Sequence, residues 1–183
     1  MKKNLLVVMM MIVVVIVYSC NNNNGQKNAV NKTAQNTIKQ QKDGTISLKV
    51  DKAECYHDLV NPSSNTAEWN FVVSKSGRFN VWLSSATKDT TNLQYKNKVM
   101  LSLLDNRLEV KPGCDKIVHN SGDVSYPYFR ADSFIGSLYI QDTGLYYIQV
   151  VSEKILPQDS KNDKSSSAEN TKFLSVFLTP IAN

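Results

Sequence analysis

From residue 44 onward the chain alternates apolar and polar positions with a period of two, the pattern of strands buried on one face. Ile46, Leu48 and Val50 alternate with polar neighbours, and Trp69, Phe71 and Val73 repeat the pattern. Ser74, Lys75, Ser76 and Gly77 then predict a turn into a strand over 78–84, with Phe79, Val81 and Leu83 on one face and Asn80, Trp82 and Ser84 on the other. Residues 86–97 are polar and read as a loop. Val99, Leu101 and Leu103 predict a further strand, Asp105 and Asn106 its turn, and Leu108 and Val110 a continuation that Pro112 and Gly113 end. After a long irregular stretch, residues 134–141 and 145–155 predict a hairpin around Asp142, Thr143 and Gly144. A polar insertion over 157–171 separates it from 173–178, where Phe173, Leu174, Val176, Phe177 and Leu178 call for cover on both faces. No helical pattern longer than about three turns competes after residue 44, and no repeat at solenoid or propeller spacing occurs. At least about seven short strands joined by Gly and Asn turns predict an all-β fold, a two-sheet antiparallel β-sandwich.

The first 43 residues have another character. Lys2 and Lys3 precede an unbroken apolar run from Leu5 to Val17, followed by Tyr18, Ser19 and Cys20. The run is about 13 residues long, whereas a membrane-crossing helix needs about 20, so it reads as an export signal. Val17-Tyr18-Ser19-Cys20 resembles the bacterial lipoprotein signal, which implies removal of a signal peptide, residues 1–19, and acylation of Cys20 by palmitate-like chains; an ordinary secretory signal is the alternative. Two or more acyl chains on Cys20 anchor a protein stably in a bilayer, where one is marginal. Residues 20–43 hold Asn21 to Asn24 and only scattered apolar side chains such as Ala29, Val30, Ala34 and Ile38, and predict a disordered tether ahead of a domain over 44–183. The expected location is the bacterial cell envelope, lipid-anchored, with the outer membrane favoured.

Charge changes this picture little. The chain carries a net charge of +5, but beyond residue 44 its 12 Lys and 3 Arg meet 10 Asp and 5 Glu. The body is therefore neutral and does not advertise a nucleic-acid partner.

The order of several segments carries a resemblance. Trp69-Asn70-Phe71-Val72-Val73, Gly77-Arg78-Phe79-Asn80-Val81-Trp82, Ile135-Gly136-Ser137-Leu138, Gly144-Leu145-Tyr146-Tyr147 and a last segment ending at Pro180 are similar to the jelly-roll, galactose-binding-like domains of carbohydrate-binding-module type that accompany secreted bacterial fucosidases and sulfatases. The resemblance spans roughly residues 46–180 and lies in packing and turn patterns rather than in a ligand motif. It implies a jelly-roll sandwich, a glycan as partner, and a structural calcium near the first strand, for which Glu54 is the candidate ligand. One carboxylate is thin support for a cation that takes six to eight oxygens.

Sugar sites in such folds pair an aromatic platform with planar polar groups, which cover the apolar face of a pyranose and bond its hydroxyls. Trp82 shares a strand face with Asn80, and Tyr126, Tyr128 and Phe129 lie near Arg130 and Asp132; these seven are the candidate carbohydrate contacts. The competing reading packs Trp82 on its own sheet and uses Tyr126, Pro127 and Tyr128 to close an edge of the core. Cys55 and Cys114 are expected to form a disulfide in an oxidising compartment, closing a 60-residue loop. A zinc cluster of these with His57 and His119 lacks paired spacing. No nucleophile elbow, phosphate loop, dinucleotide fingerprint or zinc-protease motif occurs, so catalysis is not expected. Two functions remain open: a non-catalytic, lipid-anchored, carbohydrate-binding envelope protein, or a structural or protein-interaction lipoprotein within an envelope assembly.

Overall fold

The computed structural model describes residues 37–156 and 169–181. The predicted signal peptide, Cys20 and most of the predicted tether lie outside the described residues. Within them the chain forms β1 (Ile38–Lys39), β2 (Ile46–Lys49), β3 (Glu54–Tyr56), β4 (Thr66–Val73), β5 (Gly77–Thr87), β6 (Val99–Leu103), β7 (Asn106–Val110), β8 (Lys116–Val118), β9 (Phe129–Ile140), β10 (Gly144–Val151) and β11 (Thr171–Pro180). The first sheet runs β1-β4-β10-β6-β7, with β3 also beside β4, and the second runs β2-β11-β5-β9-β8. Every pair is antiparallel except β1 with β4. This is the predicted all-β, two-sheet antiparallel sandwich of jelly-roll, galactose-binding-like type.

The period-two residues meet between the sheets. Ala67, Trp69, Phe71 and Val73 of β4, Val99, Leu101 and Leu103 of β6, and Ile148 and Val150 of β10 face Phe79, Val81 and Leu83 of β5 and Phe173, Val176 and Leu178 of β11, all buried. Burying each large apolar side chain contributes about 1.5–3 kcal/mol. Trp69 keeps its polar edge satisfied, since its Nε1 donates to the Lys49 carbonyl at 2.8 Å.

Four expectations change. The strands on either side of Gly144 are not a hairpin: β9 pairs with β5 and β8 in the second sheet, β10 with β4 and β6 in the first. Both runs are β-prone, but each buries one face only by joining a different sheet, so the turn carries the chain across the sandwich. A strand, β1, also lies ahead of Gly44. Ile38–Lys39 pairs with Phe71 and Val72, and the Gln40 side chain accepts hydrogen bonds from the Ser74 and Lys75 amides at 2.9 and 2.7 Å. Within the polar loop after β5, Leu93 and Tyr95 are core residues, and the Tyr95 hydroxyl is hydrogen-bonded to Ser85 Oγ at 2.9 Å. Finally, the expected Cys55–Cys114 disulfide does not exist: both thiols are free. Cys55 sits opposite Ala67 on the first sheet, whereas Cys114 precedes β8 of the second, beside Gly113, whose carbonyl accepts a hydrogen bond from Ser133 Oγ. Each thiol is half-buried against the core from its own sheet and is left unpaired.

Candidate functional site

The outer face of the second sheet brings together four of the seven candidate carbohydrate contacts. In β5, inward Phe79, Val81 and Leu83 leave Asn80, Trp82 and Ser84 pointing outward. Their cross-strand partners in β9 are Ser137, Phe134 and Asp132, and in β11 Thr179, Phe177 and Ser175. Trp82 therefore lies between two other rings. Its centroid is 5.2 Å from Phe134, edge-on at 61°, and 6.3 Å from Phe177, nearly parallel at 7°. Three neighbouring strands each contribute one ring, giving an aromatic strip about 10 Å across from two strand spacings. Phe134 is 41% exposed, so the strip is open to solvent at that end. Beside it Ser137 Oγ donates to Asn80 Oδ1 at 2.7 Å, which fixes the amide.

On the other flank runs a chain of charges. Asp132 is only 2% exposed and accepts hydrogen bonds from Arg130 Nε at 2.8 Å, Arg130 Nη2 at 3.2 Å and Ser84 Oγ at 2.6 Å. Arg130 also donates to Asp123 at 3.0 Å, and its guanidinium lies 5.3 Å from the Phe177 ring centre. Asp123 in turn binds Lys49 Nζ at 2.7 Å. That hydrogen bond, then the charges of Lys49 and Arg130, hold the Asp123 carboxyl below the usual carboxylate range, and the same bond raises Lys49. A depression of about 340 Å³ lined by Lys49, Val50, Asp51, Gly122, Asp123, Leu174 and Ser175 opens next to this flank. The strip offers apolar ring faces; its two borders offer amide, hydroxyl and charged groups at fixed positions. Apolar ring faces beside fixed polar groups suit a ligand that has one apolar face and a hydroxyl-bearing edge.

The three remaining candidates stand apart from the strip. Tyr126 is 92% exposed on the loop ahead of β9. Tyr128 is packed between Lys88 and Lys172, whose amines lie 5.1 and 5.0 Å from its ring centre, and its hydroxyl donates to the Glu169 carbonyl at 2.8 Å. Phe129 opposes Thr87 at the far end of β9. Glu54 is exposed on β3, and among the described residues no group of three or more His, Cys, Asp and Glu side chains is placed to hold a metal ion.

Phe134 and Phe177 are the members the sequence reading missed. Both sit next to β-bulges: the register shifts between Val81 and Trp82 opposite β9, and between Phe173 and Ser175 in β11. A bulge flips the parity of everything beyond it. Counting by twos from Leu138 puts Phe134 in the core, and the bulge at Ile135 and Gly136 turns it out. The available signal was Gly136 within an otherwise β-prone run.

No protein-family model matches the chain, and no curated protein matches it. Among solved structures, an α-L-fucosidase from Vibrio sp. strain EJY3 aligns with a TM-score of 0.61 at 19% identity, over 79% of this chain and 24% of that one. A GH26-CBM35 β-(1,4)-mannanase from Podospora anserina aligns with a TM-score of 0.46 at 12% identity, over 78% of this chain and 29% of that one. The chain thus spans about a quarter of the length of the fucosidase. At this identity the likeness is one of fold: the chain has the β-sandwich that forms part of that enzyme.

Proposed function

We propose that the protein is a non-catalytic, lipid-anchored module of the bacterial envelope that binds carbohydrate on the outer face of its second sheet. The observation that carries this reading is the solvent-open strip of Trp82, Phe134 and Phe177, bordered by Asn80 and by the Arg130–Asp132 pair. Trp82 is the anchor, Asn80 the hydroxyl partner, and Arg130 and Asp132 hold the strip's flank in place. The shared fold with part of a fucosidase supports a role as a sugar-directed module, and the signal-like residues 1–20 support delivery to a membrane surface. The test is a glycan array probed with the full chain and with Trp82→Ala, Phe134→Ala and Tyr126→Ala. Saturable binding that the first two substitutions abolish and the third leaves intact supports the reading. Binding lost only with Tyr126→Ala moves the site to the loops, and absence of binding by verified folded protein rejects it.

A second reading, a protein-interaction subunit, draws on Leu59 and Val60, adjacent and almost fully exposed in the loop after β3. Array-negative protein that captures a defined envelope partner, and loses it with Leu59→Ser/Val60→Ser, favours that reading.

A further inference from the structure

The outer face of the first sheet presents a different set of groups. β3, β4 and β10 lie side by side, so that Glu54, Glu68 and Gln149 form one cross-strand row, with Tyr56, Thr66 and Val151 in the next. On the other side of Glu68 the face continues with Tyr147 opposite Asn70 and Leu145 opposite Val72. Tyr56, Tyr147 and Leu145 are all exposed, Tyr147 to 46%.

Glu68 is held in place. Gln149 Nε2 donates to its Oε1 at 2.7 Å, and Tyr147 is the next outward residue along β10. Burial, then the Glu68 carboxylate, push the tyrosine well above its ordinary pKa, so its hydroxyl keeps its proton and remains a donor. Glu54 stands directly opposite Glu68 on the same face. Like charges in that register repel. Among the described residues neither carboxylate has an ion-pair partner. Arg107, farther along the same row beyond Ser102, pairs with Glu109 at 3.6 Å, and Lys39 lies beside Val72, two outward positions from Glu68.

An open face of two phenol rings and a leucine around two uncompensated carboxylates is complementary in charge and shape to a cation carried on a ring with an apolar side. A second copy of this chain fits poorly, because a two-fold contact would set Glu54 and Glu68 against their own mates in one desolvated interface. A divalent ion fits poorly as well, for want of further carboxylate ligands among the described residues. A saccharide bearing a free amine answers each feature. Its ammonium is attracted by both carboxylates through charge-assisted hydrogen bonds, its ring lies on Tyr147 or Tyr56, and the Asn70 and Gln149 amides reach its hydroxyls.

We propose that the outer face of the first sheet binds an amine-bearing saccharide, a hexosamine with a free ammonium, through Glu54, Glu68, Tyr56 and Tyr147. The site extends carbohydrate binding to a second face, and it does not depend on Trp82.

The test is calorimetric titration of the full chain, in a polyoxyethylene detergent at about pH 6 where an amine is protonated, with a glucosamine tetramer and with its N-acetylated counterpart. The expected result is saturable binding of the amine form that weakens at high salt, and at least about tenfold weaker binding of the acetylated form. Glu54→Gln and Glu68→Gln each weaken the amine form by about tenfold or more. Glu54→Gln also removes a cross-strand repulsion, so it melts at or above the parent temperature, which separates lost binding from lost folding. Trp82→Ala leaves amine binding unchanged; neutral-glycan binding lost in that variant while amine binding persists keeps the two faces distinct. Folded protein that ignores the glucosamine tetramer, binds the acetylated form equally well, or tolerates both glutamate substitutions overturns the proposal.

Discussion

Arg130 and Asp132 fix the flank of the aromatic strip, and Arg130→Met measures how firmly. Asp132 is buried and takes two of its three hydrogen bonds from the guanidinium, at 2.8 and 3.2 Å, and the third from Ser84 at 2.6 Å. Methionine retains an apolar stem beside Phe177 but leaves the carboxylate with one donor. Removing one partner of a fully buried ion pair costs about 3–5 kcal/mol. Here Ser84 still donates and the Arg130 side chain is itself 21% exposed, so the expected cost is about 2–3 kcal/mol. Loss of the Arg130 bond to the more exposed Asp123 adds less than about 1 kcal/mol. Asp132→Leu in the same chain removes the stranded charge, so Arg130→Met/Asp132→Leu returns to within about 1 kcal/mol of the parent, with a coupling energy of at least about 2 kcal/mol. Urea unfolding with matched m-values reads all four proteins. A single substitution costing under about 0.5 kcal/mol, or a double equal to the sum of the singles, refutes a buried, mutually dependent pair.

Three further outcomes are expected. Gly136 has φ +145°, and a Cβ there would meet Leu108 Cδ2 at 3.2 Å; Gly136→Ala is expected to cost about 1–3 kcal/mol, and an unchanged melting temperature contradicts the close approach of β7 to the bulge. Asp123 has a depressed carboxyl pKa, so its contribution is present above the unfolded value and disappears as pH falls through the folded one. Asp123→Asn therefore lowers stability by at most about 1 kcal/mol at neutral pH and matches the parent in strong acid; a difference that persists or grows there reverses the sign and contradicts the Lys49–Asp123 bond. Burial raises both the Cys55 and Cys114 thiols, so they label slowly in folded protein and fully in denaturant without reductant, and a Cys55–Cys114 linked peptide in a non-reducing digest contradicts the free thiols.

Alternation made the sandwich legible, because one face of nearly every long strand is buried and period two records that directly. Trp82 and Asn80 were legible as outward partners for the same reason: β5 carries strict alternation from Phe79 to Leu83. What escaped depends on partners far away in sequence. The Gly144 turn looks local, yet β9 and β10 belong to opposite sheets, a choice made by β4, β5, β6 and β8. Phe134 and Phe177 escaped because bulges reset the parity on which the inward and outward assignment rests. Leu93 and Tyr95 escaped because their neighbours Thr90, Thr91, Asn92, Gln94 and Lys96 are polar, so two core anchors read as loop. The Cys55–Cys114 pairing was inferred from compartment chemistry, which says which thiols are available but not which sheet each one joins. Glu68, Gln149 and Tyr147 meet only across β4 and β10, so nothing in their spacing announces the first sheet's outer face.

Whether the strip around Trp82 holds sugar is read from the dissociation constant of the strongest array glycan for the parent and for Trp82→Ala. Truncating a central aromatic anchor is expected to cost about 2 kcal/mol or more, an affinity loss of about thirtyfold. The expected result is that loss with the fold intact; an affinity within about threefold of the parent's refutes binding at the strip.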